Sequence, residues 1–494
     1  MLKKSSILLD KYPCISVFIS GLLAKLCFCK GSTIPAIIFP MFYILLSALR
    51  KCKNPFSLGF VFGCGYFGST LFWVAEAFKC VGLGAYGYLA VLVLVIYLSI
   101  FPAVTCFLST KLAKTKTDLL IIFPVFWTLC EYVRGWLFTG FPWNLIGYAA
   151  YGGLYFTQIA DIFGVYGVSF FFLLSSCLIT NKKTILHGIV VFFAISSYGI
   201  YKIELYDGYI IPDQTDNISI IQPSIPQEDK MNPKKIRECL AKHVEISDFD
   251  SDGKRLIIWP EAAVGFPLDA QNEIGHLLIN KDDVFVITGT DRFTRGRELF
   301  NSLKVIGKKS EVLQVYDKRH LLPFGEFIPE WLLDLGLRKV VPGIINYLPG
   351  KRTRTITLPG FNQFDVIICY EIIFPGEIMD SRDSSWILNI TNDSWFKESD
   401  GPAQHLRTTC FRAIEEGRSI ARCANNGISC IIDCNGRIVK FLKTNDIGKI
   451  DHMMPMKYQN TIFSRYNNGM ILSILLITLL AVMINSRRRN PSDQ

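Results

Sequence analysis

Seven apolar stretches crowd the first 204 residues, near 13–29, 33–49, 56–77, 84–109, 118–134, 155–180 and 184–202. An eighth runs from Gly469 to Ile484. A helix needs roughly 20 mostly apolar residues to cross a bilayer, so this pattern predicts a multi-pass membrane protein. Composition agrees: half of the 494 residues are hydrophobic and mean hydropathy is +0.31, too apolar for an ordinary soluble enzyme. Between the seventh and eighth stretches lie about 260 residues of mixed polarity, the size of one soluble domain. The expected organisation is residues 1–204 as a transmembrane region of about seven helices, 205–462 as a soluble domain, and 463–494 as a last helix with a basic tail.

Lysine and arginine in the short loops set the orientation. Lys3 and Lys4, Arg50 to Lys53, Lys111, Lys114 and Lys116, Lys182 and Lys183, and Arg487 to Arg489 all fall on one side if seven spans precede the domain and one follows it. That side is the cytoplasm, which puts the domain outside. Lys25 and Lys30 oppose the scheme. The first span is followed too closely by the second for an ordinary cleaved signal peptide, and no small-residue cleavage site is evident.

Several function classes drop out. The net charge of +10 is spread thinly, without a basic run interleaved with aromatics, so no nucleic-acid partner is expected. Many of the fifteen cysteines lie inside apolar stretches, where cysteine serves as a small hydrophobe. The rest lack zinc-type CxxC pairing, and a disulfide framework is not expected in so long a chain. No P-loop, dinucleotide fingerprint or histidine cluster is present, so neither metal nor cofactor is implied. Ionisable residues within the spans are few: Glu76, Asp161, and Glu131 with Arg134 near a span's end. Each marks a functional or locally paired charge; a transporter would need a denser set. The stretch from Arg134 to Gly153 is rich in Trp, Phe, Tyr and Gly, suiting an aromatic belt or a lipid entrance.

From Asn217 onward the pattern is α/β. "ISIIQ", "RLIIWPE", "VFVITGT", "NSLKVIG", "VLQVYDK", "DVIICYE", "WILNITND" and "SCIIDCNG" read as strands, while "PKKIRECLAKHVEI" and "AQHLRTTCFRAIEEGRSIARC" read as helices. Three strands end in chemically able residues: Glu261, Lys318 and Cys369. Strand carboxyl ends are where sites gather in open α/β folds. These residues stand 57 and 51 positions apart, so only tertiary structure can bring them together. If they meet, a carboxylate takes the thiol proton and the thiolate attacks a carbonyl, while an ammonium stabilises the thiolate and the oxyanion. That is a full acyl-transfer set without histidine. Ordinary explanations stay open: a helix cap or surface carboxylate for Glu261, a solvated loop charge for Lys318, an inert core thiol for Cys369.

"IIWPEAAVGFP", "YDKRHLLPFGEFIP" and "DVIICYEIIFP" resemble the three signature segments of the nitrilase superfamily, and "NITNDSWF" and "RAIEEGRSIARCANNGIS" are similar to its later core segments. A nitrilase-like domain between a multi-span region and a final span resembles the bacterial apolipoprotein N-acyltransferases, as do "RGWLFTGFPWN" and "LPFGEFIP". The resemblance implies a membrane helical bundle of about eight spans plus an αββα sandwich with a Glu–Lys–Cys triad. It implies a ping-pong acyl transfer from a phospholipid, commonly phosphatidylethanolamine, through a Cys369 thioester to the α-amine of a diacylglyceryl-cysteine on an apolipoprotein. Glu261 would be the base and Lys318 the oxyanion stabiliser. Glu326 would assist the base and orient the lysine, and Tyr370 and Glu371 would complete the pocket. The location implied is the bacterial inner membrane, with the domain on the periplasmic side; a monomer is expected. One departure stands out: the family pattern places a tryptophan near Met231, and a methionine there keeps an apolar contact but loses the rigid ring. The competing readings are a membrane-tethered amidase acting on small amides with the same triad, and a catalytically dead scaffold.

Overall fold

The structure is a computed structural model that describes residues 11–31, 34–206, 216–249, 253–263, 274, 276–278, 281–328, 346–455 and 460–488. The chain divides into two compact units. One comprises 1–75, 85–208 and 461–494, the other 76–84 and 209–460.

The first unit is helical. Among the described residues, five helices are long and apolar enough to cross a membrane: Pro55–Lys79, Gly84–Leu112, Ala160–Ile179, Ile185–Leu205 and Gly469–Arg487. Pro13–Phe28 and Pro35–Leu49 are shorter apolar helices, and Lys116–Arg134 carries charges near both ends. The intramembrane charges are locally engaged. Asp161 is buried 3.0 Å from Lys202 and accepts a hydrogen bond from the Tyr198 hydroxyl at 2.8 Å. Glu131 accepts from the Trp127 indole (3.1 Å) and the Ile146 amide (2.7 Å), and Arg134 donates to the carbonyls of Phe141 (3.0 Å) and Trp143 (2.8 Å). This pair therefore clamps the aromatic segment 134–153 rather than closing on itself. Trp143, Leu145, Ile146 and Tyr148 are buried, while Trp136 and Phe138 stay exposed. Glu76 lies in the last turns of the helix Pro55–Lys79, past the 3₁₀ turn at Phe72–Val74, and pairs with Lys79 at 2.6 Å.

The second unit holds two six-stranded sheets. The first has the order β12-β1-β2-β3-β4-β5, with β1 (Asn217–Gln222), β2 (Arg255–Ile258), β3 (Val284–Phe293), β4 (Leu299–Ile306), β5 (Val312–Asp317) and β12 (Gly448–Met453). The second has the order β11-β10-β9-β8-β7-β6, with β6 (Thr355–Ile356), β7 (Phe364–Ile368), β8 (Trp386–Thr391), β9 (Ser419–Ala424), β10 (Ser429–Ile432) and β11 (Ile438–Leu442). One core joins them: Ile218, Ile220, Leu256 and Ile258 of the first sheet pack with Val366, Ile368, Leu388 and Ile390 of the second. On the first sheet's other face, Ile221, Ile257 and Val286 join Trp259 and Leu240 of the helix Ile236–Ser247. Strands buried on both faces read as continuous apolar runs, which is why "RLII" and "DVII" lack alternation. The buried helix Gly401–Glu416 packs beside β9.

"AQHLRTTCFRAIEEGRSIARC" is not one helix, as its periodicity suggests. The helix stops at Glu416, Gly417 takes φ 64°, and Ser419–Ala424 becomes β9, parallel to β8. The left-handed conformation at that glycine ends the helix and redirects the chain. Strands β6, β11 and β12, short or at sheet edges, also carried no clear sequence signal.

Candidate active site

The strands bring the three chemically able residues to one end of the sandwich. Lys318 directly follows β5, Cys369 directly follows β7, and Glu261 lies three positions past the end of β2. Parallel pairing of β7 with β8 also sends Thr391, Asn392 and Asp393 to that end.

The charges form a tight buried set. Lys318 Nζ lies 3.0 Å from Glu326 Oε1 and 3.6 Å from Glu261 Oε1. Asn301, on β4, donates from one amide nitrogen to both carboxylates, at 2.9 Å to Glu261 and 2.8 Å to Glu326. The second oxygen of Glu261 accepts from the Asn392 amide at 2.9 Å, and that of Glu326 from the Leu322 amide at 2.7 Å. Both glutamates are thus held at both oxygens. Burial alone would lower the Lys318 pKa, but Glu326, then Glu261, then Cys369 outweigh it and hold the ammonium well above its ordinary range. The lysine is a fixed cation.

Cys369 retains partial exposure and adopts φ 51°, the first residue of a 3₁₀ turn reaching Ile373. Burial pushes its thiol pKa far up and Glu261 adds to this, while Lys318 opposes. At neutral pH the resting sulfur is a thiol, so nucleophilic attack requires a base that removes its proton as the reaction proceeds.

The neighbours sort themselves by contact. Glu371 does not stand free beside the thiol. Its Oε1 accepts from the Tyr316 hydroxyl (2.7 Å), the amides of Arg319 (2.9 Å) and His320 (3.2 Å) and the Arg354 guanidinium (3.3 Å). Its Oε2 accepts from the Ile368 amide (2.8 Å). This carboxylate ties the segment after Lys318 to the strand end before Cys369. Tyr370 packs edge-on against Phe374 and His320. Met231 caps the one-turn helix Gln227–Lys230 and is half-buried; beside it, Lys230 donates to the Glu261 carbonyl at 3.0 Å. Burial pushes Lys230 down to about 8 against the pull of Glu261. Sequence reasoning missed Asn301 and Asn392, because an asparagine in a strand or turn signals nothing until its partners are placed. Among the described residues no cluster of His, Cys, Asp or Glu is arranged to hold a metal.

Gly289 on β3 explains how Glu261 is seated. A Cβ there would lie 2.6 Å from Glu261 Cα and the Pro260 carbonyl oxygen, and 2.7 Å from the Ala262 amide. All three are backbone atoms and cannot yield as a flexible side chain would. Gly289→Ala is expected to displace Glu261 and cut acyl transfer by about 100-fold, since misplacement of about 1 Å has that effect. Steady-state rates beside thermal unfolding check this; a folded, fully active variant would show that the Glu261 backbone has room to move.

Comparison with known proteins fits both units. The Apolipoprotein N-acyltransferase N-terminal domain family matches residues 20–178, and the Carbon-nitrogen hydrolase family matches residues 218–454. Proteins named apolipoprotein N-acyltransferase are similar over almost their whole length. That of Rickettsia bellii is 33% identical, covering 96% of this chain and 97% of that protein. That of Rickettsia typhi is 33% identical, covering 95% and 98%. That of Rhodopseudomonas palustris is 32% identical, covering 88% and 86%. With a helical unit and a two-sheet α/β unit in one chain, and relatives of this identity spanning nearly all of it, the protein belongs to the apolipoprotein N-acyltransferase family.

Proposed function

We propose that this chain N-acylates the N-terminal diacylglyceryl-cysteine of apolipoproteins, taking the acyl chain from a membrane phospholipid through a thioester on Cys369. The observation that carries this reading is the buried Glu261–Lys318–Glu326 set converging with a thiol at the strand ends of a domain fused to apolar helices. In the first half-reaction Glu261 takes the thiol proton, sulfur attacks the ester carbonyl, and Lys318 balances the oxyanion. The carbon–oxygen bond breaks and Glu261 returns the proton to the leaving lysophospholipid. In the second, the acceptor amine attacks the thioester, Glu261 takes its proton, the carbon–sulfur bond breaks to give an amide, and Glu261 passes the proton to the departing sulfur, restoring the Cys369 thiol. Glu326 and Asn301 hold the lysine and the base in register. Tyr370, Glu371 and Met231 shape the surroundings, Met231 as a contact for lipid.

A membrane region in the same chain suits these substrates. Both carry bilayer-anchored acyl chains, and extracting one into water costs about 0.8 kcal/mol per CH₂. The basic loops support a cytoplasmic-membrane location with the catalytic unit on the periplasmic side. Phosphatidylethanolamine is the proposed donor and a monomer the proposed state. The amidase reading is not favoured: one anchor would serve it, whereas five helices among the described residues are long and apolar enough to span.

The test is the intact mass of detergent-purified protein after incubation with phosphatidylethanolamine. A hydroxylamine-labile gain of one acyl chain, absent from Cys369→Ala, is expected, followed by its transfer to a diacylglyceryl lipopeptide. Release of ammonia from small amides without any lipid adduct would overturn the reading in favour of the amidase.

A further inference from the structure

A buried polar cluster lies beside the nucleophile, and the chemistry above does not use it. His405 sits on the helix Gly401–Glu416, with Asp393 past the end of β8 and Arg422 on β9, all essentially inaccessible to solvent. His405 Nε2 lies 3.3 Å from the carbonyl oxygen of Cys369, and Nδ1 lies 3.0 Å from Asp393 Oδ1 and 3.1 Å from an Arg422 nitrogen. Arg422 donates to Asp393 Oδ2 at 2.7 Å and to Asn389 Oδ1 at 2.5 Å. The Thr391 hydroxyl donates to Asp393 Oδ1 at 3.1 Å. The cluster thus reaches the cysteine at its backbone carbonyl, through His405.

The ring's protonation follows from its partners. A carbonyl oxygen only accepts, so Nε2 must carry a proton to bond it. Burial, and after it Arg422, push the His405 pKa down against the pull of Asp393, which favours the neutral ring. Nδ1 lies between Asp393 Oδ1 and the Arg422 guanidinium, which hold the ring from its far side.

Cys369 needs such support. At φ 51° it sits in the left-handed region, which is unfavourable for a non-glycine residue and persists only where the surroundings impose it. We propose that His405 is a positioning residue for the nucleophile: by donating to the Cys369 carbonyl it holds the left-handed turn that presents the sulfur to Glu261 and Lys318. Asp393 and Arg422 hold the ring at its other nitrogen. The inference rests on Cys369 being the acyl-bearing thiol.

The test uses the full chain in detergent, with His405→Ala and His405→Gln, the latter retaining a donor that reaches the carbonyl. Three quantities are read: thermal unfolding, the single-turnover rate of thioester formation at saturating phosphatidylethanolamine, and the pH profile of Cys369 alkylation by iodoacetamide. Folded His405→Ala is expected to form the thioester about 10- to 100-fold more slowly, with half-saturating lipid within about twofold of the parent and a displaced alkylation profile. His405→Gln is expected to regain part of the rate. A folded alanine variant with parent rate and parent alkylation profile would overturn the proposal. So would a glutamine variant that is stable, slow and unmoved in its alkylation profile. If the alanine variant does not fold, the glutamine variant decides alone. Alkylation needs no acyl donor, so failure of the parent protein to take acyl groups from lipid would count against the proposed function and leave the role of His405 to be decided by the alkylation profiles.

Discussion

Cys369→Ala is expected to abolish the thioester and all downstream acylation, a loss on the order of 10⁴- to 10⁶-fold, as for other covalent nucleophiles. The fold should survive. The side chain is partly exposed, and alanine at φ 51° carries the same backbone strain as cysteine, so stability should change by no more than about 1 kcal/mol. Cys369→Ser is the sharper companion. It keeps shape and polarity, but a serine hydroxyl is far harder to deprotonate than a thiol, and the site raises the thiol pKa to begin with. Both variants should therefore fail in single-turnover assays with phospholipid while melting near the parent temperature. Turnover by either at more than about one-thousandth of the parent rate would remove Cys369 from the reaction.

Lys318→Met is expected to damage both activity and folding. The ammonium lies 3.0 Å from Glu326 and 3.6 Å from Glu261, and Asn301 holds the two carboxylates side by side. Removing the cation leaves like charges facing each other in a buried site, which costs roughly 3–5 kcal/mol. Loss of the oxyanion partner should slow thioester formation by about 10²- to 10³-fold. Lys318→Met with Glu326→Gln should recover most of the stability and little of the activity. Equal melting temperatures for Lys318→Met and the parent across pH would contradict the buried ion set; full activity would contradict the oxyanion role.

Much of this architecture is legible in the residues. Helices occupy the apolar stretches, and "RLII", "DVII" and "WILNIT" are strands because both of their faces are buried. The segment "RSIARC" misleads, since the helical period runs smoothly into it and the left-handed Gly417 breaks it. His405 was passed over because it has no motif spacing: Asp393, 12 positions before it, and Arg422, 17 after it, become its partners only through the packing of helix Gly401–Glu416 beside the second sheet.

The sequence by itself determined a run of apolar helices, an α/β domain and three strand-end residues whose chemistry suits acyl transfer. Hydrophobic runs and residue types are local properties, readable one segment at a time. Tertiary structure alone decided that Glu261 and Lys318 meet across 57 positions, that Asn301 and Asn392 hold Glu261 at both oxygens, and that His405 reaches the Cys369 carbonyl. Those contacts depend on strand order and on the parallel register of β7, β8 and β9, which set where each chain end arrives. No local pattern encodes that arrival, because each partner is ordinary until the sheet has formed.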